Sequence, residues 1–353
     1  MRKAYLDNIR WATVLLVLAY HVCYVFNGVG ILGGIPDAEN IPLCDALAAL
    51  VYPWFMVLLF AVAGMSARYA LQKRTDRQFL KERARRCLVP STLGLFVLHW
   101  ITGYLNIRIG GGLAYIPAAL VYPIAAVSGT GPLWFIQMLF VFSCVLVLLR
   151  RIDASERVWA WCGGMRAPGL VLLALPVYAA AQVFNLPVLT MYRFGIYGVS
   201  FLIGYYVFSH ERVQEQIGRM CVPMLGLAVL TGVFYARAYC GSDYTSADCL
   251  QNPLTNLYLW SAVLAVIGCG RTYFNRETAA TRYLARAGFG VYILHYPVLM
   301  LAGFGLTQYL DLPAAGNYVL ALAAELFGSF AAYELIRRVP LVRFAVLGVK
   351  GRE

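Results

Sequence analysis

The chain has 353 residues, of which 61% are apolar and 13% charged, against roughly 25% charged in an ordinary globular protein. The apolar residues fall in blocks of roughly twenty, the length of a helix crossing a bilayer core, and the mean hydropathy is +0.68. A soluble enzyme, a disulfide-knit scaffold and a disordered chain are excluded, and the sequence reads as an all-α, polytopic membrane protein. The net charge of +12 would suggest nucleic acid in a soluble protein, but here the cations follow the spans.

In chain order the blocks predict ten spans, at about 9–29, 45–67, 88–107, 131–149, 168–187, 194–209, 220–239, 253–270, 287–308 and 316–336. With the N-terminus inside, 26 of the 29 Lys and Arg residues share one side, and only Arg108, Arg193 and Arg237 fall outside. The positive-inside rule then predicts both termini in the cytoplasm and leaves no need for a nucleic-acid partner. Residues 109–130 are uncharged and apolar but broken by Pro117 and Pro123. Counting them as an eleventh span would reverse every later loop, so they are predicted to be an outer-face loop or a re-entrant segment. The first block is too long for a cleaved leader and carries His21 in its middle, so it reads as a span. Without repeats or linkers, residues 1–353 are predicted to form one membrane domain. Cys240 and Cys249 share an outer loop, where an oxidising compartment would permit a bridge.

Ionisable groups at mid-depth are costly unless satisfied or used. The spans place four there: His21, His99, His295 and Glu325. Arg10 and His21 lie eleven residues apart, three helical turns plus roughly 20°, so they share a face about 16 Å apart along the axis. That face suits an elongated substrate with an anionic head and a reactive tip. It equally fits a snorkelling arginine with a histidine that only bonds a neighbouring span. Arg83 and Arg86 share a face at i, i+3 before Pro90; their planar guanidinium groups suit phosphate, and the same loop suits anionic lipid. Pro297, two residues after His295, frees the carbonyl of Ile293. Glu325 has no Lys or Arg at its depth and is expected to be protonated or bonded to a histidine, while Glu334 is expected to pair with Arg337 and Arg338. Trp134 and Gln137 add an aromatic and an amide near the outer side. A rival reading takes His21, His99, His295 and Glu325 as the relay or metal cage of a transporter or flippase, although no internal repeat supports it.

Tyr5-Leu6-Asp7-Asn8-Ile9-Arg10, with His21 eleven residues beyond Arg10, resembles the first helix of the acyltransferase-3 family of membrane acyltransferases. Phe60-Ala61-Val62-Ala63-Gly64-Met65-Ser66 is similar to the family's second-helix glycine motif. Arg83-Ala84-Arg85-Arg86 with Pro90 is similar to its paired-arginine motif. Leu133-Trp134-Phe135 and Gly290-Val291-Tyr292-Ile293-Leu294-His295-Tyr296-Pro297 resemble two later elements, and the order holds over nearly the whole chain. Two departures stand out: Pro132 where many members carry histidine, and Ala61, Val62 and Ala63 in place of bulkier residues.

The resemblance implies an enzyme of the bacterial cytoplasmic (inner) membrane that moves an acyl group, acetyl or succinyl-like, from cytoplasmic acyl-coenzyme A to a carbohydrate hydroxyl of the cell envelope or periplasm. No metal is implied, and membrane lipid is the surrounding partner. In this reading Arg10, Arg83 and Arg86 hold the donor's phosphates. His21 is general base or acyl carrier, a role suited to neutral imidazole, with His295 and Glu325 beside it. Trp134 and Tyr292 contact substrate.

Overall fold

The computed structural model describes residues 3–31, 33–35, 39–186 and 189–351. The helices are α1 (Ala4–Val25), α2 (Pro42–Leu71), α3 (Asp76–Arg83), α4 (Val89–Gly94), α5 (Trp100–Ile109), α6 (Ala118–Ser128), α7 (Trp134–Ile152), α8 (Arg157–Cys162) and α9 (Ala167–Leu172). They continue as α10 (Ala174–Ala181), α11 (Phe194–Ile203), α12 (Glu211–Arg219), α13 (Cys221–Tyr239), α14 (Ala247–Leu250), α15 (Pro253–Tyr273), α16 (Ala279–Tyr309), α17 (Ala314–Ile336) and α18 (Pro340–Leu347). Wider π turns at Ala84–Leu88 and Leu95–His99 join α3, α4 and α5 into one rod, and a third, Gly204–Phe208, extends α11. No strand occurs among the described residues, so the all-α, polytopic reading holds.

Among the described residues eight helical runs are long and apolar enough to cross a membrane. Each coincides with a predicted span. The remaining two predicted spans are shorter apolar helices, Ala167–Ala181 and Phe194–Phe208. The first is interrupted at Leu173, where Pro176 supplies no N–H to the carbonyl of Leu172. Residues 109–130 make a short 3₁₀ turn, Gly112–Tyr115, and then α6, which folds back on α5. Gly103 lets the carbonyl of Ala125 approach α5 closely, and the Tyr122 hydroxyl donates to the Phe96 carbonyl at 2.7 Å. The segment is a helical hairpin against α5.

The chain divides into two compact units. The first comprises Met1–Thr13, Ala49–Lys81 and Val141–Arg282; the second comprises Val14–Ala48, Glu82–Phe140 and Tyr283–Glu353.

In the first unit α13 packs along α15. The glycine motif of α2 has a packing role: Gly64 lies against the backbone of Phe201, and Gly204 lies against that of Ala61, so a Cβ at either position would strike a carbonyl. The missing side chains of Gly64 and Gly204 are what permit that approach. At the basic end Arg68 lies 4.0 Å over the Trp159 ring and grips Glu156 with two hydrogen bonds, of 2.5 and 2.9 Å. Lys3 pairs with Glu211, which also binds Arg271 at 2.7 Å. Cys240 and Cys249 are free thiols, and Cys249 contacts the Tyr235 hydroxyl.

The second unit is organised around an apolar cluster that includes Val22, Val25, Phe26, Leu105, Leu299 and Met300. Tyr318 of α17 closes it, its hydroxyl donating 2.9 Å to the Phe26 carbonyl. α18 packs back against α4. Its C-cap, Gly348, has φ +64°, and its missing side chain admits the Arg85 carbonyl. His21, His99 and His295 lie within this unit.

Candidate active site

His21 lies in α1 one turn after Val17, and its Nδ1 is 2.8 Å from the Val17 carbonyl. His295 repeats the device in α16, with Nδ1 2.6 Å from the Tyr292 carbonyl. The two rings meet. His295 Nε2 is 3.2 Å from His21 Nδ1, and the ring centroids are 4.9 Å apart. Tyr20, Tyr24 and Tyr296 surround His21 edge-on, with centroids 5.1, 6.1 and 5.2 Å away. His295 is fully buried, whereas His21 is half-buried and keeps part of its ring accessible.

The other mid-depth groups stand around this pair. Pro297 sits inside α16, and the Ile293 carbonyl that it deprives of a helical donor faces His99. Neither His99 nitrogen completes a hydrogen bond of ordinary geometry. Glu325 is fully buried beside Tyr296. Both its carboxyl oxygens lack a hydrogen-bond partner, so of the two expected states, protonated or bonded to a histidine, the histidine bond is not formed. The geometry has a plain cause, since α16 turns the nitrogens of His295 toward Tyr292 and His21. Among the described residues no group of three or more His, Cys, Asp or Glu side chains is placed to hold a metal ion.

Tyr292 is buried, and its hydroxyl donates to the Pro132 carbonyl. The proline that departs from the family pattern thus ties the turn before α7 to α16 through its backbone. Phe135 packs edge-on against Tyr292, and the half-buried Trp134 packs edge-on against Phe135, with centroids 5.6 and 6.4 Å apart.

At the basic end of the same unit lies a cavity of about 420 Å³. Among the described residues five arginines line it, Arg86, Arg286, Arg337, Arg338 and Arg343, and no carboxylate does. Arg343 is spent on backbone, donating to the carbonyls of Arg337 and Lys350 at 2.9 and 3.0 Å, and so knits the C-terminal segment to α17. Arg337 takes Glu334 at 2.7 Å. The expected second partner of Glu334, Arg338, instead faces the cavity. Arg286 and Arg338 are exposed there and have no acidic or hydrogen-bonding partner among the described residues. Two unbalanced cations with three more around them make a site for a polyanion.

Of the three arginines assigned to phosphate by resemblance, Arg86 lines this cavity. Arg83 does not. The π turn Ala84–Leu88 starts just after it, shifts the register that would have aligned the two at i, i+3, and leaves Arg83 beside Cys87. Arg10, in the first unit, binds Asp7 at 2.9 Å and donates to Ser66. Sequence reasoning counted Arg286, Arg338 and Arg343 only as orienting charges. The signal that could have marked them is the Arg337-Arg338 pair followed by Arg343 on a short helix. α17 links cavity and histidines: Tyr333 of the cavity wall, Ser329 and Glu325 follow at four-residue steps on one buried face, about 12 Å from end to end.

A family profile described as an acyltransferase domain matches residues 3–334. Searches of curated proteins and of solved structures returned no match. The profile covers nearly the whole chain, and both the histidine pair and two of the five cavity arginines, Arg86 and Arg286, fall inside the matched range. The protein belongs to the acyltransferase-3 family and is a multi-pass membrane acyltransferase.

Proposed function

We propose that the protein carries an acyl group from cytoplasmic acyl-coenzyme A to a hydroxyl of a carbohydrate on the far side of a bacterial inner membrane. The observation that carries this reading is the pairing, within one unit, of an accessible histidine at mid-span with an arginine-lined cavity at the basic end. Coenzyme A has the matching chemistry, with phosphates at one end and a thioester at the other. The positive-inside bias puts the cavity in the cytoplasm. There Arg86, Arg286 and Arg338 engage phosphate, with Arg83 and Arg10 as further cations on that side. The acyl arm follows the Tyr333, Ser329 and Glu325 face toward His21.

In the reaction His21 accepts the proton of the acceptor hydroxyl as the oxygen attacks the thioester carbonyl. The new C–O bond forms, the C–S bond breaks, and His21 returns the proton to the departing thiolate. The products are an ester and free coenzyme A. Glu325 stands where the donor's arm meets the acceptor, and the ring faces of Trp134 and Tyr292 belong to the acceptor side.

The test is release of the free thiol from labelled acetyl- and succinyl-coenzyme A by purified protein, with and without candidate glycans. Glycan-dependent release is expected, and His21→Ala should reduce it by about 10²- to 10⁴-fold with unchanged thermal unfolding. Undiminished turnover in that variant removes His21 from the chemistry. An absence of thiol release with every donor and acceptor removes the donor assignment.

A further inference from the structure

The hydrogen bonds around the two histidines fix where their protons sit. The carbonyl of Tyr292 can only accept, so His295 Nδ1 at 2.6 Å carries a proton. The carbonyl of Val17 can only accept, so His21 Nδ1 at 2.8 Å carries one too. The 3.2 Å contact between His21 Nδ1 and His295 Nε2 is then a hydrogen bond only if His295 Nε2 is bare. Two neutral rings satisfy every contact, and the nitrogen left without a proton is His21 Nε2. That is the basic atom, on the half-buried ring.

We propose that His295 is a positioning residue for His21: its bare Nε2 shares the Nδ1–H of His21 with the Val17 carbonyl, holds the ring with Nε2 toward the substrate, and supports the imidazolium formed when Nε2 takes the hydroxyl proton. The proposal rests on the acyl-transfer reading and deepens it. It gives His295 the place that a carboxylate fills in a Ser-His-Asp triad. As His21 becomes cationic its Nδ1–H turns into a stronger donor, and the acceptor is already in place. No proton crosses between the rings, since Nε2 both receives the hydroxyl proton and returns it to the thiolate. The groups that face the pair are Tyr20 and Tyr24 on α1, Tyr292 and Tyr296 on α16, His99, and Glu325 beside Tyr296.

Two measurements test the proposal. The chain has four histidines, so side-chain ¹⁵N spectra of histidine-labelled protein are assigned by single substitutions. At neutral pH His21 should show a protonated Nδ1 and a bare Nε2; a protonated Nε2 in the resting protein overturns the proposal. The second measurement is the pH dependence of kcat in His295→Phe and His295→Gln. Loss of the acceptor disfavours the imidazolium, so in His295→Phe the acid limb moves to lower pH by about one unit. The plateau rate falls about 100-fold, and KM for the donor is unchanged. The Gln carbonyl replaces the acceptor, so that variant restores most of the rate and the original limb. A rate loss in His295→Phe with an unmoved limb, or a Gln variant no better than Phe, makes His295 merely structural and overturns the proposal. The tautomer is read without turnover, so an inactive wild-type enzyme would refute the acyl-transfer reading while leaving the proton assignment to its own result.

Discussion

Removing the two unpartnered cations of the arginine cavity tests the donor site directly. Arg286 and Arg338 line the cavity from α16 and from the residues just past α17, and neither is committed elsewhere among the described residues. Hydrogen bonds to charged groups contribute about 1.5–3 kcal/mol. Both side chains are exposed, so solvent screening puts each contact with phosphate nearer 1 kcal/mol. The double variant Arg286→Gln/Arg338→Gln should therefore lose about 2 kcal/mol, roughly a 30-fold weaker affinity for coenzyme A. Isothermal titration with coenzyme A measures it, and Arg282→Gln is the control. Arg282 also lies on α16, is paired with Glu277 at 3.6 Å and does not line the cavity, so its loss should leave affinity unchanged. The same double variant should raise KM for the acyl donor with kcat preserved at saturation, because the cations act far from the reacting atoms. Equal affinity in the double variant and the wild type would refute the assignment of this cavity to the donor.

Two further outcomes follow from the packing. Gly348→Ala forces a side chain into the left-handed region and against the Arg85 carbonyl, a destabilisation of about 2 kcal/mol. Thermal unfolding should show a lower midpoint, and coenzyme A should bind more weakly because Leu347 and Val349 belong to the cavity wall. Glu156→Gln tests the clasp on Arg68. The hydrogen bonds from Arg68 hold the Glu156 carboxyl below the usual carboxylate range, so its stabilising effect is complete above that range. It fades as pH falls through the lowered value of the folded state. Melting temperatures of wild type and Glu156→Gln should therefore differ at neutral pH and converge in acid; a constant gap across the series would show that charge plays no part.

The spans were legible because bilayer thickness imposes a length on apolar blocks, and the arginines and lysines between them punctuate the chain. The depth of His21, His295 and Glu325 followed from the same count. Their partners did not. His21 and His295 are 274 residues apart, and their contact depends on α1 lying against α16, which no local pattern encodes. Glu325 was expected to be protonated or bonded to a histidine because unsatisfied carboxyls are rare in cores, and α16 directs its histidine elsewhere. The paired arginines were misaligned for a different reason. Helical arithmetic at 100° per residue fails across a π turn, and nothing in Ala84-Arg85-Arg86-Cys87-Leu88 announces one. Arg286 and Arg338 were visible but indistinguishable from orienting charges until the backbone folded them around one cavity.

The choice of an imidazole to support another imidazole suits the medium. A carboxylate hydrogen-bonded to His21 would hold the ring equally well, but an anion at mid-span costs several kcal/mol before any substrate arrives. A neutral histidine offers the same lone pair without that cost and anchors its other nitrogen on a carbonyl of its own helix, Tyr292. The site then carries no formal charge at rest on its two rings, and charge appears only while the acceptor oxygen attacks. The cavity's cations remain at the basic end, where water screens them and where, in the proposed reading, a polyanionic donor would neutralise them. The sequence follows the same division: arginines gather between spans, and histidines and one carboxyl stand alone within them.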